Sequence, residues 1–279
     1  LFELPISTDY IGVGYNLQFE DILQLEDSTK FKGNAFTRAV QSPSDSKNIP
    51  IIVSKFEELI TPKTKGILIC NPNNPTGYLY TRAEMNKIRD LVKKYDLYLF
   101  SDEVYREFCY TGAPYISAFH LDGIEENVVL IDSVSKRYSI TGVRIGTLVT
   151  KNKEVRKNVM KFCQARLSPP LIGQIAAEAS LDNNKEYMHD TYDEYVERRK
   201  FLIDGLNRIN GVYSPIPMGA FYTVARLPVD DADVFCAWLL SDFEYENQTI
   251  FMAPASGFYR SPSLTMLSNL KTTSNTLSI

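Results

Sequence analysis

The stretch Gly66-Ile-Leu-Ile-Cys-Asn-Pro-Asn-Asn-Pro-Thr-Gly77 decides the fold. Its first five residues are a continuous apolar run of strand length, and a strand apolar on both faces belongs inside a sheet covered by helices. The run stops at Asn71-Pro-Asn-Asn-Pro-Thr-Gly77, a turn written in Asn, Pro and Gly. Just beyond, Thr81 and Glu84 have the spacing of a capping box. Met85, Ile88, Leu91 and Val92 then recur at the helical period, so a helix runs to about Tyr95. Leu97-Tyr-Leu-Phe100 is the next strand, ending at Ser101-Asp102. Asn127-Val-Val-Leu-Ile131 is another, ending at Asp132-Ser133, and Arg144-Ile-Gly-Thr-Leu-Val149 is a fourth. Alternating strands and helices predict an α/β fold with a mostly parallel sheet flanked by helices, which binds ligands beyond the carboxyl ends of its strands.

Outward from this region the texture changes. Residues 154–164, 169–181 and 186–209 read as helices, and Phe221-Tyr-Thr-Val-Ala225, a helix over 232–242 and Thr249-Ile-Phe-Met252 predict a smaller α+β unit. Residues 1–50 match no clear pattern. Asp9 to Asn16 contains a Gly-x-Gly, but Leu17 stands where a nucleotide loop needs its third glycine, and Ser42 to Pro50 reads as loop. The Ser-, Thr- and Asn-rich stretch from Arg260 to Ile279 reads as a tail. The expected division is an N-terminal segment over 1–50, a large unit over 51–180, a small unit over 181–259 and a tail over 260–279.

Composition excludes several classes. Of 279 residues, 44% are hydrophobic and 23% charged, too apolar for a disordered chain. A formal net charge of −4 gives no global attraction to nucleic acid or to an anionic membrane. No apolar run approaches the ~18 residues of a membrane span. Leu1-Phe-Glu-Leu4 has neither the basic nor the apolar region of a signal peptide, and a chain opening this way reads as a fragment. The four cysteines form no Cys-x-x-Cys, Cys70 and Cys109 sit in or beside apolar stretches, and reduced thiols of this kind suit a cytoplasmic protein. His120 and His189 are too few for a multi-histidine metal site, and no Gly-x-Ser-x-Gly elbow is present.

The polar clusters at the strand ends describe one chemistry. Taken singly they read as a rigid turn at 71–77, a helix start at Ser101-Asp-Glu-Val-Tyr105, and a solvated loop with cations at Ser133-Val-Ser-Lys136 and Gly142-Val-Arg-Ile-Gly146. Taken together they supply an acid, an amine, an arginine eight residues after it and an Asn-rich turn. That set suits Schiff-base catalysis on an anionic aromatic aldehyde. Lys136 is the amine. Asp102 keeps a ring nitrogen protonated, so that the ring becomes an electron sink. Arg144, Ser133 and Ser135 hold a phosphate by charge-assisted hydrogen bonds. Asn74 and Tyr105 hydrogen-bond a ring hydroxyl.

These residues resemble the class I pyridoxal-phosphate aminotransferases of the aspartate aminotransferase fold, over about Phe56 to Tyr259. Asn-Pro-Asn-Asn-Pro-Thr-Gly, Ser-Asp-Glu-Val-Tyr and Ser-x-Ser-Lys-x7-Arg-x-Gly stand in the family's order. Met218-Gly-Ala-Phe-Tyr222 and Met252-Ala-Pro-Ala-Ser-Gly-Phe-Tyr259 resemble its small-domain phrases. The resemblance implies pyridoxal 5'-phosphate as cofactor, Lys136 as its Schiff-base lysine and Asp102 as partner of the pyridine nitrogen. Asn74 and Tyr105 are implied to contact the ring oxygen, with Ser133 and Arg144 on the phosphate. It further implies ping-pong exchange between an amino acid and a 2-oxo acid, with the Lys136 amine moving the α-proton, in a homodimer.

Two family features are not matched. A Gly-Ser/Thr phosphate loop and a ring-stacking aromatic are expected in the N-terminal part. Phe31-Lys-Gly-Asn-Ala-Phe36 resembles only the region after that aromatic, and Tyr10 and Tyr15 have the wrong spacing for it. The family's carboxylate-binding arginine is also missing, because Arg260-Ser-Pro-Ser-Leu does not fit its pattern. The alternative reading is therefore an impaired homologue that binds the cofactor weakly or serves as a non-catalytic partner subunit.

Overall fold

The computed structural model describes residues 10–14, 53, 56–182, 185–254 and 276–278. In chain order the described elements are β1 (Tyr10–Gly14), α1 (Phe56–Leu59), β2 (Gly66–Cys70), α2 (Arg82–Tyr95), β3 (Tyr98–Asp102) and β4 (Val128–Ser133). There follow α3 (Val134–Arg137), β5 (Ile145–Val149), α4 (Lys153–Arg166), α5 (Leu171–Leu181) and α6 (Lys185–Leu206). The last are β6 (Val224–Arg226), α7 (Ala232–Ser241), β7 (Ala253–Pro254) and β8 (Thr276–Ser278).

Helix α2 forms as its sequence dictates. The Thr81 hydroxyl accepts from Glu84 N–H, and the Glu84 carboxylate accepts from Thr81 N–H at 2.8 Å, closing the capping box. Met85, Ile88, Leu91 and Val92 are buried against Ile67, Ile69, Leu99 and Val128 of the sheet. Each such side chain contributes about 1.5–3 kcal/mol through burial, which makes this layer the main core.

The main sheet has the order β1-β5-β4-β3-β2. β2, β3 and β4 are parallel, whereas β5 runs antiparallel to β4 and β1 antiparallel to β5. The α/β expectation holds, but the sheet is mixed rather than mostly parallel. The reason lies in residues 134–144, which are too few for the crossover of a dozen or more residues that a parallel return needs, so the chain doubles back. Arg144 stands just outside β5 in left-handed backbone (φ 57°), not inside a strand as its sequence context suggests. Tyr10–Gly14, inside the Gly-x-Gly stretch, is one edge strand of this sheet, with β2 at the other edge.

A second sheet has the order β6-β8-β7, all antiparallel, and α7 packs Ala232 and Cys236 with Ala225 and Leu227 beside it. Three expectations change here. The strand expected over 221–225 is β6, shifted later, and 249–252 is not a strand; the pairing residues are Ala253–Pro254. The C-terminal stretch read as tail supplies the middle strand, β8. Three residues are too short to show a period, so only pairing reveals such a strand. The expectations for Tyr15, Phe31–Phe36, Ser42–Pro50 and Arg260 lie outside the described residues.

The segment before β6 reaches back to the first sheet. Gly77 O accepts from Met218 N–H at 2.8 Å and Gly219 N–H at 2.9 Å, while Tyr110 N–H donates to Met218 O at 2.8 Å. This clamps residues 218–219 between the Asn/Pro turn and the loop that follows β3. Among the described residues no helix is long and apolar enough to cross a membrane.

Candidate active site

Asp102 is the last residue of β3 and pairs in register with Ile131 of β4, five positions before Lys136. Parallel pairing thus brings the acid and the amine to neighbouring strand ends. Asp102 Oδ1 accepts from Val104 N–H at 3.2 Å, and no cation pairs with the carboxylate among the described residues. Burial pushes its carboxyl up to about 6, the Val104 N–H offsets part of this, and nearby Asp132 adds to the rise.

The Asn/Pro turn sorts its asparagines by role. Asn71 Oδ1 accepts from Tyr80 N–H at 3.2 Å, and Asn73 Oδ1 accepts from the Thr76 hydroxyl at 2.7 Å, so these two shape the turn. Asn74 is left to face outward from it, and its Nδ2 donates to Tyr105 Oη at 3.4 Å. Tyr105 Oη donates in turn to Tyr222 Oη at 3.0 Å, with the rings edge to face. Burial, reinforced by Tyr222, raises the Tyr105 phenol far above its ordinary value.

Lys136 lies on α3, immediately after β4. The Ser133 hydroxyl caps this turn, accepting from Ser135 N–H at 3.1 Å, and sits 2.8 Å from Ser135 Oγ and 2.9 Å from the Ile145 carbonyl. Antiparallel pairing of Ser133 with Gly146 brings Arg144 to the same end of the sheet, where its Nη1 donates to Thr141 O at 3.1 Å. Lys136 is half-buried, and its ammonium makes no hydrogen bond or ion pair among the described residues.

A family model described as aminotransferase class I and II matches residues 28–261. The chain belongs to this aminotransferase family. Its similarity to individual members is moderate. Aspartate aminotransferase of Thermotoga maritima is 34% identical over 217 residues, spanning 77% of this chain and 54% of that protein. Aromatic-amino-acid aminotransferase 2 of Thermococcus litoralis is 32% identical over 193 residues, spanning 68% and 49%. The crystal structure of an aromatic aminotransferase from Pyrococcus horikoshii superposes with a TM-score of 0.71 at 26% identity, spanning 84% of this chain and 68% of that one. The chain spans about half the length of the curated relatives it matches.

Asn74, Asp102, Tyr105, Ser133, Ser135, Lys136 and Arg144 of this aminotransferase-family chain all fall inside the matched span. Sequence reasoning missed two of their neighbours. Tyr222 was visible only as part of Met218-Gly-Ala-Phe-Tyr222, with nothing to say that it meets Tyr105. Glu103 carried no signal beyond following Asp102. It is 1% exposed, and its Oε1 accepts from the Ser101 and Ser117 hydroxyls at 3.0 Å and from Ala118 N–H at 2.8 Å. Behind Tyr222 lies a cavity of about 160 Å³ lined by Tyr110, Tyr195, Arg199, Phe221 and Tyr222 among others, in which Arg199 stacks over Tyr110.

Proposed function

We propose that this chain is a pyridoxal-phosphate-dependent aminotransferase unit, moving an amino group between an L-amino acid, aspartate among the candidates, and a 2-oxo acid. The observation that supports this reading is the pairing of β3 with β4: Asp102 ends one strand and Lys136 follows the other, and among the described residues the carboxylate has no cation and the amine no partner. This donor set fits the cofactor. A protonated ring nitrogen would give Asp102 the cation that its burial lacks, and Lys136 is an amine open to an aldehyde.

When bound, pyridoxal 5'-phosphate supplies an aldehyde for the substrate nitrogen and a ring that withdraws electrons. The remaining work falls to this chain. Asp102 holds a proton at the ring nitrogen. Lys136 would hold the cofactor through its amine, and the same amine would take and return the α-proton of the substrate. Asn74 and Tyr105 bear on the ring oxygen, with Tyr222 fixing Tyr105. The Ser133 and Ser135 hydroxyls, turned to each other, and the Arg144 guanidinium are the donors for the phosphate.

Homodimerisation, a cytoplasmic setting and the division into units at 51–180 and 181–259 belong to the same reading. Exposed Leu167, Leu171, Ile172 and Ile175, clustered where α4 passes to α5, support a face that a second copy covers.

One observation favours the alternative of an impaired homologue. The Ser133 hydroxyl is engaged by Ile145 O and the Arg144 guanidinium by Thr141 O, so two phosphate donors already have internal partners. Visible spectra of the chain with pyridoxal phosphate, before and after L-aspartate, with Lys136→Ala as control, decide between the two. A Lys136-dependent band that bleaches supports the aminotransferase. A Lys136-dependent band that ignores amino acids supports the impaired homologue, and no band in the folded protein overturns the aminotransferase reading and leaves only a non-catalytic partner subunit.

A further inference from the structure

Four charged side chains form a closed ring under the lysine turn. Asp132 Oδ2 lies 2.9 Å from Arg106 Nη1 and 2.8 Å from Arg137 Nη2. Glu107 Oε1 lies 2.8 Å from Arg137 Nε and 3.3 Å from Arg106 Nε. The Arg137 Nε approach is an ion pair without hydrogen-bond alignment, whereas Arg137 Nη2 hydrogen-bonds Asp132. Asp132 and Arg137 are only 10% and 12% exposed, so water screens this pair weakly.

The ring's members are chain neighbours of the site. Arg106 follows Tyr105, Asp132 precedes Ser133, and Arg137 follows Lys136. The other Asp132 oxygen accepts from Ser133 N–H at 2.8 Å. Helix α3 has four residues, and one turn has no stability of its own. Its start is held by the Ser133 cap, and its end is held by Arg137 reaching back to Asp132. The ring is also charge-balanced, with two cations against two anions.

We propose that Asp132 and Arg137 are positioning residues for Lys136, closing the six-residue segment that carries it into a neutral clamp anchored by Arg106 and Glu107. Other ionisable groups around α3 include Tyr138 at its C-terminal end, whose ring lies 5.8 Å from the Arg137 guanidinium, Arg144 on the turn packed against it, Asp102 and Tyr105 at the end of β3, and Tyr187 of α6, which donates to Ser139 Oγ at 3.1 Å. β5, also packed against α3, brings no ionisable side chain. Removing one ring member therefore changes the local charge at Lys136 with a sign set by which member is lost.

The clamp rests on the reading of Lys136 as the reacting amine, yet its test needs no cofactor, so the two can fail separately. The full chain is labelled with acetic anhydride at neutral pH and acetylation of Lys136 is read by mass spectrometry against the other lysines. Arg137→Gln leaves excess negative charge, favours the protonated amine and should lower labelling about fivefold; Asp132→Asn should raise it about fivefold. Arg137→Lys, which keeps the charge, should stay within about twofold of the wild type. Opposite signs with that rescue establish the clamp. Changes of the same sign, or none beyond twofold, overturn it and leave the ring a structural tie. Where Arg137→Gln does not fold, Glu107→Gln at a quarter-exposed member carries the test and must raise labelling.

Discussion

The Gly77 carbonyl accepts a hydrogen bond from Met218 N–H at 2.8 Å, joining residues 141 positions apart in sequence. Through this joint the Asn/Pro turn holds the segment that carries Tyr222 to Tyr105. Gly77 has φ +67°, and a Cβ there would come within 2.4 Å of Pro217 Cβ. Gly77→Ala should therefore destabilise the chain by about 3 kcal/mol, combining left-handed backbone with overpacking. Chemical denaturation checks this, and a loss under ~1 kcal/mol would show that the joint yields easily.

Asp102 should make stability fall as pH rises. Its folded carboxyl lies at about 6 against an ordinary 3.8, so between about pH 4 and 6 the native state binds more protons than the unfolded chain. The buried charge costs on the order of 3 kcal/mol above pH 6, and that cost fades as pH falls through the window. Asp102→Asn removes it, so the variant without cofactor should gain stability at pH 7 and match the wild type near pH 4. Melting curves across pH test this. The same variant should bind pyridoxal phosphate more weakly, since a neutral amide cannot pair with a ring cation.

Glu103 holds the end of β3 to the 117–118 turn through three donors. Burial raises its carboxyl, while those donors work against the rise. Glu103→Ala orphans all three donors at once and should cost about 4 kcal/mol. Glu103→Gln retains an acceptor for them and should cost about 1 kcal/mol. Equal losses, measured by denaturant midpoint, would contradict this account of Oε1.

Tyr222→Phe removes the acceptor for Tyr105 Oη and leaves the ring packing in place. The bond exists without cofactor and is worth about 1 kcal/mol, so the cofactor-free chain should lose about that much stability, and with Tyr105 no longer fixed pyridoxal phosphate affinity should fall by up to about fivefold. Tyr105→Phe should weaken binding further, because it removes the hydroxyl proposed to meet the cofactor itself. Spectral titration compares them, and an unaltered affinity in Tyr222→Phe would detach Tyr222 from the site.

Local signals in the sequence were sufficient for a definite part of this protein. The Thr81/Glu84 box and the spacing of Met85, Ile88, Leu91 and Val92 specify α2 and its buried face, because capping and helical period act over a few residues. The apolar run Gly66–Cys70 and the polar ends of β3 and β4 specify where a ligand can sit, and Asn74, Asp102, Tyr105 and Lys136 were legible there as chemistry-bearing residue types. Tertiary structure decided what no short window contains. It turned β5 antiparallel, made Thr276–Ser278 the middle strand of the second sheet, and brought Tyr222 to Tyr105 across 117 residues. It also closed Arg106, Glu107, Asp132 and Arg137 into one ring, although in sequence they read as ordinary charges. Pairing partners and buried ion contacts are set by packing between distant segments, which leaves no period or spacing in the chain to read.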